Sequence, residues 1–256
     1  MAAPTLPCCA GLASPAIRER SPSARWLIVN ADDFGQSHGV NRGIAQAHER
    51  GIVTSASLMV RWPAAVQATQ YARHHPTLSV GLHVDLGEWA CRGGDWLQLY
   101  QVVRERDVGT IRAECERQLA RFRELVGADP SHLDSHQHVH HDEPVRTVVA
   151  EMARSLGVPV RGQDLEIQYR GDFYGQTADG VPIPETISVA ALTAFLESLP
   201  PGVTELGCHP GDATDLDTMY AGERLMEVEV LCDPRVRLAL ETLGVRLCSF
   251  RNRMGC

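Results

Sequence analysis

Trp26-Leu-Ile-Val-Asn-Ala-Asp-Asp-Phe-Gly35 leads four apolar residues through Asn30 and Ala31 to two adjacent carboxylates and then a glycine. The apolar run reads as a buried strand. Asp32 and Asp33 stand where that strand must end. Neighbouring carboxylates repel each other unless a positive charge lies beside them. A divalent cation would supply it, and histidine-bearing segments downstream hold further ligands.

Strand-like runs recur at residues 54–60, 78–86, 131–136, 158–161, 203–208 and 245–250. Helical character is read between them at residues 40–50, 63–75, 110–126, 144–156, 188–199 and 234–243. Pro63 and Pro144 suit first-turn positions, and Gly51 and Gly244 suit helix ends. Residues 87–106, with Gly93, Gly94 and two tryptophans, read as a loop, and residues 163–187 as an irregular excursion. Strand alternating with helix implies a parallel sheet with helical crossovers. The expected fold is α/β, a (β/α) barrel-like sheet with fewer than eight complete units. The first turn lacks the glycine spacing of a dinucleotide site.

In such a fold the active site lies at the carboxyl ends of the strands. Asp32 and Asp33 end the first strand, His83 lies late in the third, His136 ends the fourth and His209 ends the sixth. Separate segments thus bring two carboxylates and three imidazoles to one face. Two imidazoles and a carboxylate bind a divalent metal and leave positions open. Asp85, two residues beyond His83, is a competing ligand on the same strand face. If Asp134-Ser-His-Gln-His-Val-His-His141 is extended, His136, His138 and His140 share a face. His138 would then either support the metal ligands or reach substrate, while His140 and His141 read as surface residues. Trp89 and Trp96 either stack on a sugar ring or pin their loop. His38, His48, His74, His75 and His132 are assigned to surface or packing, and Cys208 to packing.

The totals exclude several classes. At 256 residues the chain suits one large domain, expected over residues 25–256 after a disordered lead of residues 1–24. A net charge of −8 argues against a nucleic-acid surface. All the basic side chains are arginines, which removes lysine Schiff-base chemistry and the lysine of a P-loop. The eight cysteines show no C-x-x-C pair and read as free thiols in a reducing, cytoplasmic compartment. No apolar run is long enough to span a membrane, and the start does not read as a secretory signal. A homodimer is the default expectation.

Four motifs occur in order: Asn30-Ala-Asp-Asp-Phe-Gly35, Val80-Gly-Leu-His83, His132-Leu-Asp-Ser-His-Gln-His138 and Glu205-Leu-Gly-Cys-His-Pro210. On these the chain, from about Trp26 to Phe250, resembles the YdjC-type carbohydrate deacetylases, which include chitooligosaccharide deacetylases. The resemblance implies a barrel-like fold, one divalent metal (Mg²⁺ or Zn²⁺) and removal of an N-acetyl group from an acetylated sugar. It implies Asp33, His83 and His136 as metal ligands, Asp32 as general base and His209 as acid. Residues 88–107 and 163–187 would then set substrate choice. Three rivals share parts of this ligand set. They are a phosphoesterase or nuclease, with Arg61 and Arg92 as nearest basic candidates; a non-haem iron oxygenase; and a non-catalytic, metal-containing sugar-binding protein.

Overall fold

The structure, a computed structural model, describes residues 23–104 and 107–252. The expected lead falls outside these residues except for Ser23 and Ala24. The strands are β1 (Arg25–Phe34), β2 (Ser55–Leu58), β3 (Ser79–Val84), β4 (Gly87–Arg92), β5 (Asp95–Gln101), β6 (Leu133–Ser135), β7 (Ile167–Arg170), β8 (Gly202–Cys208) and β9 (Val245–Cys248). The helices are α1 (His38–Glu49), α2 (Ala65–His74), α3 (Val108–Val126), α4 (Val145–Leu156), α5 (Val189–Glu197), α6 (Ala221–Leu231) and α7 (Pro234–Leu243).

The main sheet is parallel and ordered β6-β3-β2-β1-β8-β7. One edge of β1 pairs with β8. The other is shared, Arg25–Ile28 pairing with β9 and Asn30–Phe34 with β2. A single bridge from Leu133 to Val160 carries the sheet one step past β6. Across the curl, the Arg161 guanidinium lies over the Tyr169 ring of β7, 5.0 Å from its centroid. The sheet is thus a curled, incomplete barrel, as the alternation of elements implies.

The period-two alternation of β1 sorts its side chains. Leu27, Val29 and Ala31 enter the large apolar cluster packed by the helices. Ile28 faces a smaller inner cluster with Ile167, Val203, Cys248 and Phe250. Asn30 and Asp32 follow Ile28 on that inner side. Asp33 would point outward in a regular strand. Instead its φ is 65° and the register with β2 shifts between Ala31 and Phe34. Asp tolerates this left-handed conformation better than most residues. The bulge therefore turns both carboxylates toward one pocket. Ser37 then caps α1, its Oγ accepting from Val40 N at 3.0 Å.

Four elements differ from the sequence reading. Residues 87–106 contain a hairpin, β4 pairing with β5 across Gly93 and Gly94. Both glycines have positive φ, 63° and 92°, as a two-residue turn of type I′ requires. Residues 158–161 form one bridge rather than a strand. The excursion at 163–187 contains β7, paired with β8 over its whole length. Helix α6 has no counterpart in the sequence reading, because its buried face mixes Glu223, Arg224 and Glu227 with Val228 and Leu231 and so shows no continuous apolar stripe.

Candidate active site

The strand ends surround a cavity of about 700 Å³, within the usual size range for ligand sites. Asp32, Asp33, His83, His136 and His209 all line it. His83 Nε2 stands 3.3 Å and His136 Nδ1 2.8 Å from Asp33 Oδ1. His83 Nδ1 lies 2.7 Å from the buried Asp134 carboxylate. That bond turns Nε2 toward Asp33, the arrangement in which a carboxylate orients a metal-binding imidazole. One ligand atom from each of Asp33, His83 and His136 lies within 4.8 Å of the others. The donor set, one oxygen and two nitrogens aimed at one point, fits a divalent cation. Arg224 Nη2 donates to the other oxygen, Asp33 Oδ2, at 2.5 Å.

Burial alone would raise the Asp33 carboxyl, but His136 and Arg224 hold it well below the ordinary carboxylate value. Burial works against charge on His83 as well, yet Asp134 and Asp33 raise it to about 9.

Asp32 has a different partner. Arg161 grips both its oxygens, Nη1 to Oδ2 and Nη2 to Oδ1, each at 2.6 Å. The same guanidinium reaches Asp134 Oδ2 at 2.8 Å and Glu205 Oε1 at 2.7 Å. Asn30 Nδ2 donates to Asp32 Oδ1 at 2.9 Å. Burial would raise Asp32, and Arg161 outweighs it, keeping the group ionised. Glu205, despite the same arginine, is pushed by burial up to about 7. Asp32, His83 and Asp134 also cluster, but the charge of this group is met by Arg161.

His209 Nε2 lies 3.8 Å from Asp32 Oδ2, and its Nδ1 is buried without a hydrogen-bond partner. Burial lowers the ring to about 4. Tyr174 and Tyr220, stacked on one another with centroids 4.6 Å apart, both present edges to it. Glu227 accepts from the His209 backbone N–H and from Tyr220 Oη.

The sequence-expected substrate residues line the same cavity. His138 lies with its Nε2 3.4 Å from Tyr169 Oη. Trp89 and Trp96 stand on the β4–β5 hairpin, 46% and 44% exposed. Gln137 clamps that hairpin, accepting from Trp89 N at 3.0 Å and donating to Trp89 O at 2.7 Å. Residues 171–178, from the excursion, supply Phe173, Tyr174 and Thr177 to the wall.

Other expectations need correction. Asp85 does not compete for the site: it accepts from Arg61 Nη1 at 3.1 Å and Tyr100 Oη at 2.9 Å. Arg61 is committed there, and Arg92 pairs with Asp217 at 2.7 Å, so neither serves the pocket. The His136–His141 segment is a 3-10 turn rather than extended, with φ of 51° at Gln137 and 54° at His138. The two-residue period therefore fails, and His140 is wholly buried rather than on the surface. Sequence reasoning also missed Arg161, Arg224, Asp134 and Glu227. Asp134 lay inside a quoted motif. The two arginines gave no local signal, because the carboxylates they hold at the end of β1, Asp32 and Asp33, lie more than 100 positions away.

The sequence profile described as "YdjC-like protein" matches residues 26–242. A chitooligosaccharide deacetylase of Serratia marcescens is 33% identical, covering 89% of this chain and 99% of its own length. A carbohydrate deacetylase of Geobacillus stearothermophilus is 34% identical over 89% and 97%. Among solved structures, a protein of Enterococcus faecalis V583, labelled for cellobiose-phosphate cleavage, superposes with a TM-score of 0.71 at 26% identity. That match covers 90% of this chain and 99% of the other. A family 4 carbohydrate esterase of Streptomyces lividans shares the fold, with a TM-score of 0.53 at 13% identity over 89% and 92%. With the profile spanning most of the described residues and full-length relatives a third identical, the chain belongs to the YdjC-like family.

Proposed function

We propose that the chain is a metal-dependent carbohydrate deacetylase, hydrolysing the amide of an N-acetylated sugar. One observation carries this reading. A three-donor set (Asp33, His83, His136) and a carboxylate–imidazole pair (Asp32, His209) meet on the floor of one aromatic-walled cavity. The full-length relatives named chitooligosaccharide and carbohydrate deacetylase support the substrate class.

Asp33, His83 and His136 would hold a magnesium or zinc ion. When bound, such an ion makes a water more acidic and polarises a carbonyl oxygen. The chain's own groups do the rest. Asp32, oriented by Arg161 and Asn30, takes a proton from the attacking water. His209 waits as a neutral ring, since burial lowers it to about 4. The proton it passes to the leaving nitrogen is therefore one that Asp32 has received, 3.8 Å away. Trp89 and Trp96 offer faces for pyranose rings, and His138 reaches a hydroxyl beside Tyr169. Both floor arginines already bind carboxylates, which weighs against a phosphoester substrate.

The further setting of this reading is residues 25–256 as one domain, a homodimer in the cytoplasm. Among the described residues no helix is long and apolar enough to cross a membrane. The test is acetate release from N-acetylglucosamine and chitooligosaccharides by metal-stripped and reloaded protein. Release that falls on stripping and returns on reloading is expected. No acetate from any of these sugars, or release indifferent to verified metal loss, would overturn the reading.

A further inference from the structure

The segment after β6 carries more histidines than the pocket floor uses. Its two left-handed residues, Gln137 and His138, fold the chain so that three imidazoles gather. The ring centroids of His138 and His140 are 5.9 Å apart, those of His138 and His141 5.7 Å, and those of His140 and His141 4.3 Å. One ring nitrogen from each lies within 4.8 Å of the other two.

The two inner rings are each held by one nitrogen only. His140 Nδ1 meets Ser135 Oγ at 2.6 Å, and its Nε2 is buried without a hydrogen-bond partner. His138 Nε2 faces Tyr169 Oη, and its Nδ1 is likewise buried without a partner. A buried polar atom left unpaired is unfavourable, and most native ones are satisfied. Two such atoms within three residues call for a shared partner. An imidazole fixed through one nitrogen with the other left open is how histidine is prepared for a metal. The third ring, His141, is exposed and packs over Gly162, where an added Cβ would come within 3.0 Å of its Cε1. Gly162 thus keeps room for it beside the cluster.

We infer that His138, His140 and His141 form a second cation site, separate from that of Asp33, His83 and His136. Its donors are all imidazoles, which select zinc-class divalent ions over magnesium. Tetrahedral zinc, at about 2.0–2.1 Å from each nitrogen, needs nitrogens roughly 3.3 Å apart. The rings must therefore draw together by up to about 1.5 Å on binding. Three protein ligands leave a fourth position open. Because His138 also lines the cavity, an ion here fixes part of the substrate wall.

The test is titration of metal-stripped, full-length protein with zinc chloride, read by calorimetry and by elemental analysis after dialysis. The unaltered chain should take two zinc ions. His141→Ala, at an exposed position, should take one, with the second site weakened at least about 100-fold. Asp33→Asn should lose the other ion and keep this one. His74→Ala, elsewhere on the surface, should keep both. A thermal melt of His141→Ala matching the parent shows that the loss is local. One zinc in the unaltered chain, or two in His141→Ala at unchanged affinity, would overturn the inference.

Discussion

The floor and the rim of the cavity follow opposite rules. The floor is charged and dry: Asp32, Asp33, His83, Asp134, Arg161 and Glu205 are each at most 2% exposed and sit on or beside strands of the main sheet. The rim is aromatic and wet: Trp89 and Trp96 are nearly half exposed on a hairpin outside that sheet. Acid–base chemistry needs groups held in place without water, which strand ends provide. Binding a sugar needs apolar faces that can adjust. On the proposed reading, the molecule separates the two demands in space.

The sharpest way to break this contrast is Arg161→Met. One guanidinium pairs with Asp32, Asp134 and Glu205, all buried. Removing one partner of a buried ion pair costs about 3–5 kcal/mol, because it leaves charge buried and unmet. The variant should melt well below the parent and lose acetate release. If it melts with the parent, the floor is not held together by charge.

The two neighbouring carboxylates then test the division of labour. Asp32→Asn should lower kcat about 10²–10⁴-fold while leaving bound metal unchanged by elemental analysis. Asp33→Asn should lose the metal, since both histidines meet on its Oδ1. Metal lost from Asp32→Asn and kept by Asp33→Asn would exchange the two roles.

The same contrast explains what was legible in the sequence. Buried strands announce themselves by apolar runs, so β1, β3 and β8 and the groups at their ends, Asp32, Asp33, His83 and His209, are legible in the sequence. The joint facing of Asp32 and Asp33 is not. Alternation sends neighbours to opposite sides, and only the left-handed Asp33 overrides it. Arg161 and Arg224 were invisible because long-range charge pairing leaves no local pattern. Helix α6 is hidden because its inward face mixes the charged Glu223, Arg224 and Glu227 with Val228 and Leu231, which breaks the apolar stripe. The hairpin was legible and was misread: Gly93-Gly94 between strands is a turn signal.

Beneath the floor, His132 gives a pH-dependent measure of how dry that layer is. Its ring is fully buried, stacked on Phe250 with centroids 3.7 Å apart, and its Nε2 lies 3.0 Å from Ser57 Oγ. Burial lowers it to about 3. The unfolded chain, with an ordinary value near 6.5, binds the proton first as pH falls. The His132 contribution is thus constant above about pH 6.5 and falls from there toward pH 3, by roughly 2 kcal/mol at pH 5. Denaturant melts at pH 7.5 and pH 5 should show this loss, and His132→Gln should reduce it. An equal loss in the variant would assign the slope to other groups.

The smallest expected effect lies at the rim. Trp89→Ala and Trp96→Ala remove half-exposed faces that carry no part of the sheet core. If these rings only grip sugar, they bind ground state and transition state alike, which raises KM and leaves kcat unchanged. An exposed stacking contact of about 1 kcal/mol corresponds to a KM increase of roughly fivefold. The increase should be larger for chitooligosaccharides than for the single sugar, because the hairpin stands away from the floor. The Trp89 variant also tests the clamp, since Gln137 holds that residue through backbone atoms that alanine keeps. A fall in kcat at constant KM would mean that the rim positions the reacting amide, and the separation of choice from chemistry would fail.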